Sequence, residues 1–343
     1  MSTATSSARA AGAPTLDVRN LVIEARVGDV PIRLVDDISF QLEAGGTLAI
    51  VGESGCGKSM TALSLMRILP EPAVRIGGGR IALDGEDLAR ASEARMCQVR
   101  NSVISMIFQD PMASLNPVHT VGQQIVEAIR SHRDVPARQA RAEAIALLRS
   151  VHLPDPEKRI DYYPHRLSGG MCQRVMIAMA LAARPRVLIA DEPTTALDTT
   201  VQAQVMSLLK AAQRDTGTAV VLITHNLAVA ADAAQNVAVM YAGRIVEAGP
   251  VHEVFRTPRH PYTVGLLQAI PDGLEIHDGQ EIPALVEIPG TVPRPGLAGT
   301  GCAFAPRCPR AQQRCREERP ELEVQDDGVR TAACFYPHHG VLQ

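Results

Sequence analysis

Two short segments of this 343-residue chain carry residue types suited to phosphate chemistry. The first, Gly52-Glu53-Ser54-Gly55-Cys56-Gly57-Lys58-Ser59, fits the pattern G-x-x-x-x-G-K-[ST] and runs on through Met60. Glycines in such a loop let backbone N–H groups turn inward around phosphate oxygens, and a helix that follows points its positive end at the same place. Lys58 would reach the outer phosphates, and the Ser59 hydroxyl would ligate Mg²⁺. Lys58, Lys158 and Lys210 are the only lysines among 34 basic residues, so the odds that a given lysine is surface filler are weak. The second segment is Val187-Leu188-Ile189-Ala190-Asp191-Glu192. Four apolar residues read as a buried strand that delivers two carboxylates to its C-terminal end, the edge at which open parallel sheets bind ligands. Asp191 would hold Mg²⁺ through water and Glu192 would polarise an attacking water.

The elements that must position these groups are legible in the hydrophobic pattern. Residues 16–42 are strand-like, TLAIV over 47–51 is a buried strand, and the helix from Lys58 is expected to run to Pro70. GGGRIALDG reads as turn, strand, turn, and SVISMIFQ as another strand. Helical spacing covers 118–131, 136–151 and 170–183, and Val201, Val205, Leu208, Leu209 and Ala212 mark one helix face. TAVVLITH is a buried strand, and NVAVMYAG with RIVEAG forms a hairpin around Ala242-Gly243. Apolar strands alternating with helices imply a parallel sheet covered on both faces. Residues 1–14 read as a disordered tail, and after residue 260 prolines and glycines become dense and apolar periodicity fades.

Composition excludes several classes. The net charge of −3 and the absence of a basic arm argue against nucleic-acid binding. Aromatics are 3% with no Trp, so stacking platforms are scarce. No apolar run approaches the ~18 residues of a membrane helix, and the N-terminus lacks a secretion signal core. Of seven cysteines, Cys302, Cys308, Cys315 and Cys334 crowd into the last eighth of the chain. In a reducing compartment such clustering favours a metal site over disulfides. The spacing C-x5-C-x6-C-x18-C is looser than the usual zinc pair, and four thiolates also suit a [4Fe–4S] cluster. The residues alone leave iron–sulfur, zinc and no metal open.

Further motifs identify a resemblance. Leu167-Ser168-Gly169-Gly170-Met171, just before RVLIADEP, resembles the signature of ATP-binding cassette (ABC) ATPases. Gln109 in FQDP, Ala196-Leu197-Asp198 and His225 in LITHN follow the family order. DPMASLNP, HPYTVGLLQAIP, IPGTVP and CAFAPRCP look like the ATPase subunits of bacterial oligopeptide/dipeptide/nickel importers. The resemblance implies an α/β P-loop ABC cassette over 15–259, with a mixed, largely parallel core sheet, N-terminal antiparallel strands and a helical signature subdomain at about 110–180. A Cys-rich extension would occupy 260–343.

The resemblance also implies roles. Two cassettes would trap ATP between the phosphate loop of one and Ser168, Gly169, Gly170 and Met171 of the other, with Asp198 near that contact. Gln109 would sense Mg²⁺ and the lytic water, Glu192 would be the general base, and His225 would hold the γ-phosphate or orient the water. The partners implied are two transmembrane permease subunits, a second homologous ATPase subunit in a heterodimer, and indirectly a solute-binding protein. The place implied is the cytoplasmic face of the bacterial inner membrane. The imported solute would be a di- or oligopeptide, with nickel, glutathione or opine-type solutes as alternatives. A soluble cassette acting on ribosomes or DNA and an exporter cassette are the rival readings. Resemblance to importers with a cluster-bearing tail favours [4Fe–4S] over Zn²⁺. Two departures stand out. Met171 replaces the wider family's Gln, and IEARVGDVPIRL has no aromatic residue where family members stack adenine, which leaves Arg26 as the stacking candidate.

Overall fold

The structure, a computed structural model, describes residues 14–28, 30–194, 199–270, 287–296 and 299–340. Asp198 and, apart from Pro14, the expected tail over 1–14 lie outside them. The N-terminal strands β1 (Leu16–Val27) and β2 (Val30–Leu42) form an antiparallel sheet with two later strands, in the order β2-β1-β4-β5. Leu16, Val18, Leu21 and Ile23 of β1 are fully buried, so one apolar face of this sheet sits on the core.

β3 (Thr47–Val51) lies in the second sheet, and its five residues are all buried. The phosphate-loop segment follows it and leads into α1 (Lys58–Leu65). This helix stops five residues short of Pro70, because Arg67 takes a left-handed backbone (φ 53°). The Arg67 guanidinium then donates to the carbonyls of Leu88, Ala89 and Ala91. The GGG stretch is not a turn but part of β4 (Val74–Leu83), which continues into β5 (Glu86–Asp87) and α2 (Glu93–Val99).

β6 (Ile104–Ile107) precedes a helical layer of α3 (Pro111–Ser114), α4 (Val121–Arg130), α5 (Ala137–Ser150), α6 (Pro156–Arg159) and α7 (Gly169–Leu181). Thr120 starts α4 with a reciprocal cap: its side chain accepts from the Gln123 N–H, and the Gln123 side chain accepts from the Thr120 N–H. The chain then forms β7 (Val187–Asp191), α8 (Thr199–Thr216), β8 (Ala219–Thr224) and α9 (Leu227–Ala233). β9 (Asn236–Tyr241) and β10 (Arg244–Pro250) are joined at Ala242 and Gly243, both at positive φ. That is the hairpin anticipated from the sequence.

The order in the larger sheet is β11-β12-β10-β9-β3-β8-β7-β6. Pairing is parallel from β6 through β7, β8 and β3 to β9. β10 then pairs antiparallel with β9, and the edge is extended by residues far along the chain. After α10 (Val251–Arg256), α11 (Pro261–Gln268) and α12 (Gln313–Glu317) come β11 (Glu323–Val324) and β12 (Thr331–Ala332). β12 pairs with Glu247 and Ala248 of β10. Residues beyond 260 therefore complete the same sheet. They also share a core with it, since Phe304 packs in one buried cluster with Val237, Val239, Tyr241 and Tyr262.

Candidate active site

The phosphate loop leaves the C-terminal end of β3 in a conformation open to few residues. Gly52 has φ 153°, and a Cβ there would sit 2.2 Å from the Met240 carbonyl oxygen. Gly57, at φ 105°, starts α1 without a side-chain cap, so the helix's first N–H groups remain turned to the loop interior. Lys58 is 5% exposed, and its ammonium donates to the carbonyls of Gly52 (2.8 Å) and Glu53 (2.9 Å). Cys56 is fully buried; burial pushes its thiol pKa up, against the pull of the nearby Lys58 charge.

β7 brings Asp191 and Glu192 to the same edge. The Ser59 hydroxyl donates to Asp191 Oδ1 at 3.2 Å. Burial pushes the Asp191 carboxyl above its usual range, with the Ser59 hydrogen bond opposing. A hydroxyl and a carboxylate facing each other form a hard oxygen donor set, which fits Mg²⁺ completed by water and phosphate oxygens. Glu192 takes a left-handed backbone (φ 49°), a strained state for a non-glycine residue. Its N–H donates to the Ile223 carbonyl on β8. Its carboxylate lies between two other loops: Gln109 Nε2 donates to Oε2 at 3.2 Å, and His225 Nδ1 is 3.3 Å from Oε1.

A cavity of about 190 Å³ is lined by Ser54, Gly55, Gly57, Lys58, Ser59, Met60, Gln109 and Glu192, with Leu34 and Pro295 as its apolar walls. A larger cavity of about 600 Å³ lies between β2, the β9–β10 turn and residues 293–296, and touches the loop only at Gly55. The smaller one holds the groups with phosphate chemistry. Arg26 lies elsewhere: it pairs with Pro31 near the end of β1, is exposed, and does not line the smaller cavity. Ser168, Gly169, Gly170 and Met171 do not line that cavity either. They open α7, where Ser168 Oγ accepts from the Met171 N–H (3.4 Å) and a Cβ on Gly169 would meet nothing within 4 Å.

Several residues that hold this site carried no sequence signal. Gln173 of α7 is buried and donates to the Pro193 carbonyl, which ties the signature helix to the segment after Glu192. The Glu53 N–H donates to Tyr262 Oη (2.8 Å). Tyr241, Tyr262 and Phe304 pack in tilted and edge-to-face contacts behind the loop, with ring centroids 4.6 to 5.4 Å apart. The phrase HPYT preceding an apolar helix was the available clue to Tyr262; for Arg307, whose guanidinium reaches the loop, nothing local pointed there.

The late cysteines converge without forming a ligand set. Cys302, Cys308, Cys315 and Cys334 line one cavity of about 20 Å³ with Phe304 and His260. All seven cysteines are free. Among the described residues no group of three or more His, Cys, Asp or Glu is placed to hold a metal ion. The metal site favoured by the crowding of these cysteines and by the resemblance is thus not matched by a ligand group of that size among the described residues. Burial pushes the thiols of Cys302 and Cys308 up and that of Cys334 to about 11.

Comparison with known proteins agrees with this geometry. Residues 35–195 match the family described as ABC transporter, and residues 246–315 match the oligopeptide/dipeptide transporter C-terminal region. The chain belongs to the ABC transporter family, as an ATP-hydrolysing subunit. It is 48% identical over 322 residues to the dipeptide transport ATP-binding protein DppD of Escherichia coli (strain K12), covering 94% of this chain and 96% of that protein. It is also 48% identical over 320 residues to a probable peptide ABC transporter ATP-binding protein, y4tR, of Sinorhizobium fredii, covering 93% and 94%. Among solved structures, the ATP-binding cassette MJ0796 in a dimeric post-hydrolysis state with ADP and Pi superposes with a TM-score of 0.63 at 25% identity, covering 69% of this chain and 98% of that one. The Clostridium perfringens cbiO1 superposes with a TM-score of 0.59 at 28% identity, covering 71% and 90%.

Proposed function

We propose that this subunit powers import of di- or oligopeptides, or peptide-like solutes, across the bacterial inner membrane, docked on two permease subunits at the cytoplasmic face. The names of its relatives and the matched C-terminal region support this reading. Among the described residues no helix is long and apolar enough to cross a membrane. A second, homologous ATPase subunit completes the ATP sites, and a solute-binding protein delivers the cargo.

The observation that carries the catalytic assignment is the meeting of Lys58, Ser59, Gln109 and Glu192 on one cavity, with His225 beside Glu192. Lys58 and the loop N–H groups bind the ATP phosphates, while Ser59 and Asp191 hold Mg²⁺, which neutralises phosphate charge. Gln109 orients the attacking water, Glu192 takes its proton, and His225 steadies Glu192 and the terminal phosphate. Ser168, Gly169, Gly170 and Met171 serve the partner's nucleotide, consistent with their absence from the cavity lining. Asp198 belongs to the same contact by resemblance, and Arg26 is the adenine-stacking candidate only if the end of β1 turns inward.

The finer proposal for the tail is a [4Fe–4S] cluster on Cys302, Cys308, Cys315 and Cys334, with Zn²⁺ as the alternative. Its support is the cavity that the four cysteines share. Anaerobic purification with iron and sulfide analysis tests it; a colourless protein without iron sinks the cluster. The transport reading is tested by co-purification with the permease subunits and peptide-stimulated ATP hydrolysis in vesicles. Hydrolysis indifferent to every peptide tried in an intact assembly would sink the peptide assignment.

A further inference from the structure

We propose that Arg307 of the C-terminal extension is a positioning residue for the phosphate loop, and that it acts by cancelling the charge of Glu53. Glu53 is the second residue of the loop; its side chain does not line the phosphate cavity, but it adjoins Ser54, which does, and its carbonyl accepts from the Lys58 ammonium. Arg307 Nη1 donates to Glu53 Oε2 at 2.6 Å, and Nη2 donates to Oε1 at 3.0 Å, a bidentate pair. The Arg307 side chain is 6% exposed and that of Glu53 is 27%. The guanidinium is fixed from behind as well. Its Nε donates to the Pro289 carbonyl (2.8 Å), Nη2 also to the Ile288 carbonyl (3.2 Å), and Nη1 lies 3.5 Å from Tyr241 Oη. A guanidinium stays protonated in proteins, and the hydrogen bonds to Glu53 push its pKa further upward.

Electrostatics gives this pair a task. The ammonium of Lys58 is the loop's own cation, and it is set against the Gly52 and Glu53 carbonyls. A bare Glu53 carboxylate on the loop would lower the loop's attraction for phosphates. A rigid, buried guanidinium removes that effect without competing for the nucleotide, because Arg307 does not line the phosphate cavity. Residues 254 positions apart in sequence thereby share one electrostatic unit.

The inference rests on the nucleotide reading of the loop. The test is Mg²⁺–ATP titration by calorimetry on the full-length chain, at two salt concentrations. Arg307→Gln is expected to weaken ATP binding about tenfold, and Arg307→Lys, which keeps the charge, by less than about threefold. The double variant Arg307→Gln with Glu53→Gln is expected to recover to within about threefold of the wild type, since the repelling charge is gone. If the double variant binds as weakly as Arg307→Gln, Arg307 is a structural staple and the proposal is overturned. If Arg307→Gln does not fold, Glu53→Gln alone decides. It leaves the guanidinium unopposed, so ATP should bind more tightly and with a steeper salt dependence; unchanged or weaker binding overturns the proposal. Failure of the wild-type chain to bind ATP in the same titration would overturn the nucleotide reading itself.

Discussion

His225 Nδ1 lies 3.3 Å from Oε1 of Glu192, across the gap between the ends of β8 and β7. His225 is 58% exposed at its side chain and Glu192 is 15% exposed, so the histidine reaches in from the rim and the carboxylate waits inside. With Gln109 on the other oxygen, Glu192 is aimed from both sides at the phosphate loop.

Glu192→Gln keeps the shape and the Gln109 contact but removes the base. ATP hydrolysis should fall at least about 100-fold while ATP still binds. Phosphate release and calorimetric titration check this together. Full hydrolysis in the variant would remove Glu192 from the mechanism.

Asp191→Asn removes the charge that faces the Ser59 hydroxyl. The Mg²⁺ concentration for half-maximal hydrolysis should rise about tenfold or more, as expected when a group holding a metal through water is lost. ATP binding without Mg²⁺ should change little. Equal losses with and without Mg²⁺ would show that Asp191 acts on the loop rather than on the ion.

Glu247 is fully buried and accepts from the N–H groups of Arg259 (2.7 Å) and His260 (2.9 Å), where the chain passes from β10 toward α11. Glu247→Ala leaves two buried donors unpaired. It should cost about 2–4 kcal/mol in urea unfolding. A loss below about 1 kcal/mol would mean that water or a shifted backbone replaces the carboxylate.

Acid stability should depend on Asp327. The backbone N–H of Arg330, then that of Val329 and the Arg330 side chain, hold its pKa at about 2 against a usual 3.8. A carboxyl depressed in the folded state contributes its full stability above the unfolded pKa and loses it as pH falls through the folded one. Melting temperature should therefore drop between about pH 4 and pH 2, and Asp327→Asn should flatten that drop. An identical acid profile in the variant would refute the assignment.

The catalytic half of the site was legible because it is local. A strand, a glycine turn and a helix start follow one another around Lys58, and VLIADE and LITHN each place a polar group one step past a buried strand. Strand contiguity predicts their meeting at one sheet edge. The supporting half was not legible. Arg307 and Pro295 reach the loop from segments with no periodicity and Tyr262 from the short helix α11, and contacts across more than 200 residues leave no trace in spacing. The cysteine spacing foretold a meeting place but not a ligand geometry, which depends on side-chain rotation. Pro70 predicts a longer α1 than the structure has, because Arg67 ends the helix through its own left-handed backbone.

The pairing of Thr331 and Ala332 with β10 has a practical consequence for anyone trimming this chain. A cassette cut at residue 260 would expose a naked hydrogen-bonding edge on its main sheet, a template for intermolecular strand addition. Such a fragment should behave as a sticky, self-associating species rather than a minimal ATPase. The tail is thus the sheet's hem as well as its appendage.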